Sequence, residues 1–75
     1  MSYSYTIEER LGVLSDDGRY TVEVNMIAHN GARPKLDIRK WDRKEGKMLK
    51  GIALNREETE KLEEILQEVS RADFR

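Results

Sequence analysis

Residues 20–54, YTVEVNMIAHNGARPKLDIRKWDRKEGKMLKGIAL, decide the fold of this 75-residue chain. Three segments that favour β-strands alternate here with two short polar segments rich in Gly, Asn and charged residues. The first strand segment, residues 19–29, has a strict period of two, which is typical of a strand with one buried and one solvated face. We assign Tyr20, Val22, Val24, Met26 and Ala28 to the core, and Thr21, Glu23, Asn25, Ile27 and His29 to solvent.

Two turns separate the strands of this stretch. Asn30-Gly31 is a strong hairpin signal, because both residues tolerate positive φ. A second polar turn follows the segment that contains Leu36 and Ile38. Gly51 predicts a β-bulge, which would turn Lys50 towards solvent. These signals predict strands at residues 35–42 and 48–54, joined by a turn at residues 43–46.

The flanking segments complete the fold. Residues 5–14 form a further predicted strand, and Ser, Asp and Gly at residues 15–18 predict a turn. Asn55 and Glu58 have the spacing of a capping box at the start of a helix that runs to about residue 71. The apolar stripe of this helix consists of Leu62, Ile65, Leu66 and Val69. We predict that the stripe packs on the core and that part of it is left over for a partner chain. The sequence predicts one α+β domain, residues 1–75, with a four-stranded antiparallel sheet in the order β-β-β-β-α.

The composition limits how this fold is stabilised. The chain is 37% hydrophobic and 39% charged, and a core of this size rarely supplies more than about 3–5 kcal/mol. It has no cysteine and one histidine, which excludes disulfides and a thiolate metal site. We expect no metal or cofactor, and association of two chains as a homodimer.

Several classes of function find no support in the sequence. No apolar run approaches the roughly 18 residues of a membrane span, and the N-terminus lacks the features of a signal peptide. We therefore expect a cytoplasmic protein, with association with the nucleoid as an option. No nucleophile–base pair, phosphate-binding Gly loop or metal-ligand spacing occurs. We expect a protein that is not an enzyme and has no small-molecule substrate.

The charge is distributed unevenly along the chain. Residues 33–50 have a net charge of +5, whereas residues 1–32 and 56–75 have −3 each. The only tryptophan, Trp41, lies within this basic segment. Strand alternation places Trp41 beside Lys35 and Arg39, on a face that we predict to be exposed. Bases stack on such rings with about 1–3 kcal/mol each, and cations bind phosphates. The segment therefore predicts a surface that binds single-stranded nucleic acid. Its cations are Arg33, Lys35, Arg39, Lys40, Arg43, Lys44, Lys47 and Lys50.

Other readings of these residues stay open. Trp41 could instead cover the core, and a run of charges is usually a solvated surface. His29 is either an ordinary surface histidine or a flat ring for stacking, and the tyrosines fit the core or its edge. The same surface would suit RNA as well as DNA. A protein-interaction module that uses the acidic helix or a sheet edge is the alternative from another class.

The segment from Leu36 to Asn55 also resembles a known family. The runs LDIRKW, EGKM and KGIALN look like the DNA-binding domain of the transcriptional coactivator positive cofactor four, and resemble more strongly its small bacterial relatives, the YdbC-like proteins. The resemblance extends over residues 5–67. It implies a curved antiparallel sheet with a C-terminal helix, a homodimer, and binding of single-stranded DNA with little sequence preference, in transcription or genome maintenance.

The resemblance also implies roles for individual residues. Arg39 and Lys50 would contact phosphates, and Trp41 would lie in the region that stacks bases. His29 stands where family members tend to have Phe or Trp, which implies weaker stacking at that position. The basic positions near the binding groove would be Lys35, Lys44 and Lys47.

Overall fold

The computed structural model describes residues 3–71, with side chains described up to residue 69. Strands β1 (Tyr5–Asp16), β2 (Tyr20–His29), β3 (Lys35–Asp42) and β4 (Lys47–Leu54) are followed by helix α1 (Arg56–Arg71). The four strands form one antiparallel sheet in the order β1-β2-β3-β4. The predicted α+β fold is confirmed, and every strand boundary lies within two residues of its predicted position.

The hairpin between β2 and β3 forms as its sequence predicts. Asn30 and Gly31 have φ angles of 50° and 75°, and the amide of Ala32 donates to the carbonyl of His29 at 3.0 Å. Two consecutive residues with positive φ match the twist of the flanking strands. The Asn-Gly pair therefore fixes where β2 ends and how β3 returns.

The start of α1 is a complete capping box. The side-chain oxygen of Asn55 accepts from the amide of Glu58 at 2.8 Å, and the carboxylate of Glu58 accepts from the amide of Asn55 at 2.9 Å. Each side chain satisfies a backbone donor that the first turn leaves without a partner. This local signal sets the position at which the chain leaves the sheet.

Strand β1 is irregular, because its pairing with β2 shifts at three points. The partners of Ile27, Asn25 and Glu23 in β2 are, in order, Ile7, Arg10 and Val13 of β1. Along this stretch β1 therefore has three residues for every two residues of β2. Each extra residue is a bulge, and bulges bend a strand and increase its twist. Neighbouring residues of β1 therefore do not alternate regularly between the two faces of the sheet.

The sheet curves, and its inner side brings distant strands together. The rings of Tyr5 and Trp41 have centroids 5.8 Å apart, although β2 lies between their strands. The hydroxyl of Tyr3 reaches the sulfur of Met48 on β4 at 3.7 Å. We call this side the concave face and define it by the odd-numbered residues of β2 and β3, together with Tyr3 and Tyr5.

The sequence predicts the wrong face of β2 as the more buried one. The concave face contains the more deeply buried side chains of β2, namely Thr21, Glu23, Asn25 and Ile27. The expected core residues Tyr20, Val22, Val24 and Met26 are only half-buried, and Ala28 alone of that set is buried. Curvature explains the difference, because it crowds side chains on the concave face and spreads them on the convex face.

Helix α1 covers the convex face only in part. Leu62 and Val69 are half-buried, but Ile65 and Leu66 are exposed. Ile65 and Leu66 are therefore the part of the apolar stripe that does not pack on the core of a single chain. With the exposed Ile52 of β4, they leave an apolar surface beside the helix.

The predicted bulge in β4 is present and depends on a glycine. The β3–β4 register shifts between Arg39 and Trp41, which pair with Gly51 and Met48, so that β4 contains the extra residue. A Cβ atom at Gly51 would lie 1.9 Å from Cβ of Arg39 and 2.6 Å from its Cα. No side chain fits there unless the backbone moves.

We therefore expect Gly51→Ala to destabilise the fold by about 3 kcal/mol, because β3 and β4 must separate to admit one methyl group. Gly12→Ala is the matched control, because a methyl group at that position would have no other atom within 4 Å; it should change the free energy of unfolding by no more than about 0.5 kcal/mol. Urea unfolding at equal protein concentration measures both. Equal stability of the two variants would contradict the close approach.

Candidate nucleic-acid interface

Trp41 lies on the concave face, as alternation predicts, but it is not exposed. Only 2% of its surface is accessible. The ring of Tyr5 covers one side, and the guanidinium carbon of Arg43 lies 5.0 Å from the ring centre. The prediction of an exposed indole is therefore wrong, because the curvature of the sheet brings side chains of other segments over the ring.

Asp37 forms the centre of a polar cluster on the same face. It has no exposed surface, and its carboxylate accepts two hydrogen bonds from Arg39, at 2.6 and 2.7 Å. Nε2 of His29 lies 3.0 Å from the same carboxylate. The other ring nitrogen of His29, Nδ1, is hydrogen-bonded to the hydroxyl of Tyr3. When Nε2 carries the ring proton, Nδ1 accepts this hydrogen bond from Tyr3.

Arg39 is bound within the protein. Besides the carboxylate of Asp37, its guanidinium donates to the carbonyl of Leu49 at 2.9 Å, in the bulge of β4. Its side chain is 13% exposed. The hydrogen bonds with Asp37 raise the pKa of Arg39 further above its already high ordinary value. Arg39 thus ties β3 to the β4 bulge, and its contact with phosphate stays a prediction.

His29 is likewise more than a surface side chain. It is half-buried and bonded on both ring nitrogens, to Asp37 and Tyr3. The interpretation as an ordinary surface histidine is wrong, because β1 and its preceding residues fold back over the end of β2. Its role in stacking bases stays a prediction.

Glu23 forms a second buried acidic site on the concave face. Its carboxylate lies 2.5 Å from Nη2 of Arg43 and 3.8 Å from Nη1 of Arg10, and it accepts from the hydroxyl of Thr21 at 2.6 Å. The bond from Arg43 is the main cause that holds the pKa of Glu23 below its ordinary value, against the opposing effect of burial. Glu23 therefore stays ionised and holds the guanidinium of Arg43, whereas Arg10 remains largely exposed.

Asp42 organises the turn between β3 and β4. Its carboxylate accepts from the guanidinium of Arg19 at 3.0 and 3.3 Å, and from the backbone amides of Lys44 and Glu45 at 3.1 Å. The bond from Arg19 is the main cause that lowers the pKa of Asp42. This acid therefore holds in place the turn that presents Lys44.

The lysines of the basic segment differ from its central arginines. Arg39 and Arg43 are ion-paired with buried acids. Among the side chains described, those of residues 3–69, no hydrogen bond through the side chain, ion pair or ring contact involves five exposed cations: Arg33, Lys35, Lys44, Lys47 and Lys50. They lie along the β3–β4 hairpin, from the loop before β3 to the turn and bulge of β4. Lys40 is different, since its ammonium lies 4.6 Å from the ring centre of Tyr20 on the convex side.

Two residues of this region were not identified as site residues from the sequence. Tyr3 and Tyr5 were assigned to the core or its edge, but both stand on the concave face and are exposed. Their nearest aromatic neighbours are His29 and Trp41. No local sequence signal indicates this arrangement, because it depends on how the first residues cross the sheet.

Residues 3–71 contain no group of three or more side chains that could hold a metal ion. Over the same residues, no helix has the length and apolar character needed to cross a membrane.

Comparison with known proteins identifies one family. A family model described as "Transcriptional Coactivator p15 (PC4)" matches residues 19–65, which is more than half of the chain. A protein of Treponema pallidum (strain Nichols), described as uncharacterized, is 35% identical over 69 residues, covering 91% of this chain and 81% of its own length. The family match includes β2, β3, β4 and the first part of α1.

The buried carboxylate of Glu23 makes the free energy of unfolding dependent on pH. Because the folded-state pKa of Glu23 lies below its ordinary value of 4.5, its stabilising contribution is present above that value and is lost as pH falls through the folded pKa. We expect Glu23→Gln to lower the stability at pH 7 and to flatten the decline between about pH 5 and pH 3.

Urea unfolding across this pH range is the measurement, with Glu63→Gln as a control at an exposed helical acid. The control should keep both the wild-type stability and its pH dependence. A Glu23→Gln variant with the full acid decline would contradict the assignment.

Proposed function

Because this chain belongs to the Transcriptional Coactivator p15 (PC4) family, we propose that it binds single-stranded DNA with little sequence preference and acts by binding, without catalysis. Membership of the family supports nucleic-acid binding and a coactivator-type role in general. The finer statement, a preference for single strands and a role in transcription regulation or genome maintenance, is the proposal.

The proposal rests on a difference between two groups of cations, of which one is ion-paired with buried acids and the other is not. Guanidinium groups at the centre of the concave face are held by buried acids. Five exposed cations along the β3–β4 hairpin have no acidic partner among the described side chains of residues 3–69. Ammonium groups that are not neutralised by the protein are free to replace the counterions of a phosphate backbone. The contacts with phosphates are therefore assigned to Arg33, Lys35, Lys44, Lys47 and Lys50.

The charge of the rest of the chain supports an oriented complex. Residues 1–32 and 56–75 have a net charge of −3 each, and α1 carries its acids on exposed positions. A nucleic acid is therefore repelled by the helix and attracted to the β3–β4 hairpin. Aromatic side chains on the concave face favour a single strand, because a base must leave the duplex stack before it can stack on a side chain.

We further propose that two chains associate through the convex face. The groove between α1 and β4 is lined by Ile52, Leu54, Leu62 and Ile65, and Ile65 and Leu66 remain exposed. A 75-residue chain without disulfides gains stability when such a surface is buried against a second copy. In this arrangement the concave faces of both copies lie outside the proposed contact.

The lysines provide the first test. If each site neutralises about five phosphates, the logarithm of the binding constant should fall with the logarithm of salt concentration with a slope near −3.5. The double variant Lys44→Gln, Lys47→Gln should weaken binding and reduce the magnitude of the slope by about 1.4, because two phosphate contacts are lost. Fluorescence anisotropy of labelled oligo-dT at several salt concentrations measures both quantities.

The matched control replaces cations on α1, in the variant Arg56→Gln, Lys61→Gln. Both side chains are exposed and ion-paired along the helix, so affinity and slope should match the wild type. Absence of binding to oligo-dT at micromolar protein, or equal effects of the two double variants, would refute the proposal. Equal competition by RNA would broaden the ligand class to RNA.

The subunit number is tested separately. We expect the wild-type protein to sediment as a dimer, and Ile65→Glu to sediment as a monomer, because a buried carboxylate without a partner is costly. Glu64→Gln, an exposed neighbour on the helix, should leave the dimer intact. A monomeric wild-type protein at micromolar concentration would rule out the proposed association.

A further inference from the structure

Four aromatic rings form a continuous row on the concave face. The centroid of His29 lies 5.8 Å from that of Tyr3, Tyr3 lies 6.2 Å from Tyr5, and Tyr5 lies 5.8 Å from Trp41. These separations are within the range at which aromatic side chains attract one another. We call these four residues the aromatic row. It extends from the end of β2 to the end of β3, through residues that precede or begin β1.

The position of the row is fixed by hydrogen bonds at its start. The amide of Ser4 donates to the side chain of Asn30 at 2.9 Å, and the amide of Asn30 donates to the carbonyl of Ser4 at 2.7 Å. The hydroxyl of Tyr3 is hydrogen-bonded to Nδ1 of His29, and Nε2 of the same ring is hydrogen-bonded to the buried carboxylate of Asp37. The segment before β1 is thereby tied to the β2–β3 hairpin.

The members of the row differ greatly in exposure. Trp41 is 2% exposed, whereas Tyr5 is 38% and Tyr3 is 53% exposed. A base can stack only on a ring that solvent can reach, so Trp41 is not available in this arrangement. The ring of Trp41 instead packs against the ring of Tyr5, and Tyr5 packs against Tyr3. The two tyrosines are the accessible rings of the row.

Cations are present at both ends of the row. The guanidinium of Arg43 lies over the ring of Trp41. Lys35 lies on the concave face near the other end, since it pairs with Ile27, two residues before His29. Lys35 is exposed and has no ion-pair partner in the described part of the chain. Accessible rings near free positive charge are the combination that binds single strands without sequence preference.

We propose that Tyr3 and Tyr5 are the residues on which bases of a bound single strand stack, and that Trp41 supports them without contacting the ligand. The inference rests on the proposed function, and it assigns the stacking role to a segment outside the residues matched by the family model, which begin at residue 19. The strand would place bases against the two tyrosines while its phosphates follow the cations of the β3–β4 hairpin.

The test measures the dissociation constant for labelled oligo-dT with Tyr3→Leu and Tyr5→Leu, which keep apolar bulk and remove the ring. Loss of one stacking ring should raise Kd about tenfold. Tyr5→Phe should stay within about twofold of the wild type, because it retains the ring. Tyr20→Leu is the matched control, since Tyr20 lies on the convex face beside Lys40, and it should leave Kd unchanged.

A second ligand separates stacking from a structural effect. With an abasic oligomer of equal length, which keeps the phosphates, the penalties of Tyr3→Leu and Tyr5→Leu should disappear. Penalties that persist at full size with the abasic oligomer would overturn the inference. The emission of the buried Trp41 and the Tm report whether each variant keeps its fold.

The two proposals fail in different ways. If both leucine variants bind oligo-dT like the wild type while Lys44→Gln, Lys47→Gln binds more weakly, the stacking assignment is wrong and the proposed function stands. If the wild-type protein itself does not bind oligo-dT, both are wrong.

Discussion

The buried carboxylate of Asp37 is the constraint on which the concave face depends. It has no exposed surface, and a buried charge without a partner would cost several kcal/mol. Arg39 satisfies it from the same strand and His29 from the neighbouring one. Through Arg39 the cluster reaches the Leu49 carbonyl in the β4 bulge, and through His29 it reaches the segment before β1. One acid therefore links β2, β3 and β4 with the segment before β1.

The two kinds of cation serve different purposes in this molecule. A guanidinium is planar and offers several donors, so it can bind a carboxylate with two bonds and still reach a carbonyl, as Arg39 does. An ammonium group is a hydrated point charge, and the lysines of the β3–β4 hairpin remain in solvent. The net charge of the basic segment is therefore a poor measure of what a ligand meets. Arg39 is neutralised by Asp37, an acid of the same segment, and Arg43 is neutralised by Glu23, which lies outside the segment and lowers its effective charge further.

Curvature explains where the sequence-based analysis succeeded and failed. Alternation correctly grouped Lys35, Arg39 and Trp41 on one face, because a strand has a period of two whatever its surroundings. It could not predict which face would be more buried. That outcome depends on the three bulges of β1, which are not visible as a pattern in residues 5–16, and on the return of Tyr3 and Tyr5 across two strands.

The sequence by itself determined the order of the elements, the Asn30-Gly31 hairpin, the bulge at Gly51 and the capping box of Asn55. Each follows from backbone preferences or hydrogen bonds between residues close in the chain. Only the tertiary structure decided that Trp41 is covered, that Arg39 is ion-paired within the protein, and that two N-terminal tyrosines form the accessible aromatic surface. These features arise from contacts between residues distant in sequence, and such contacts exist only once the sheet has curved.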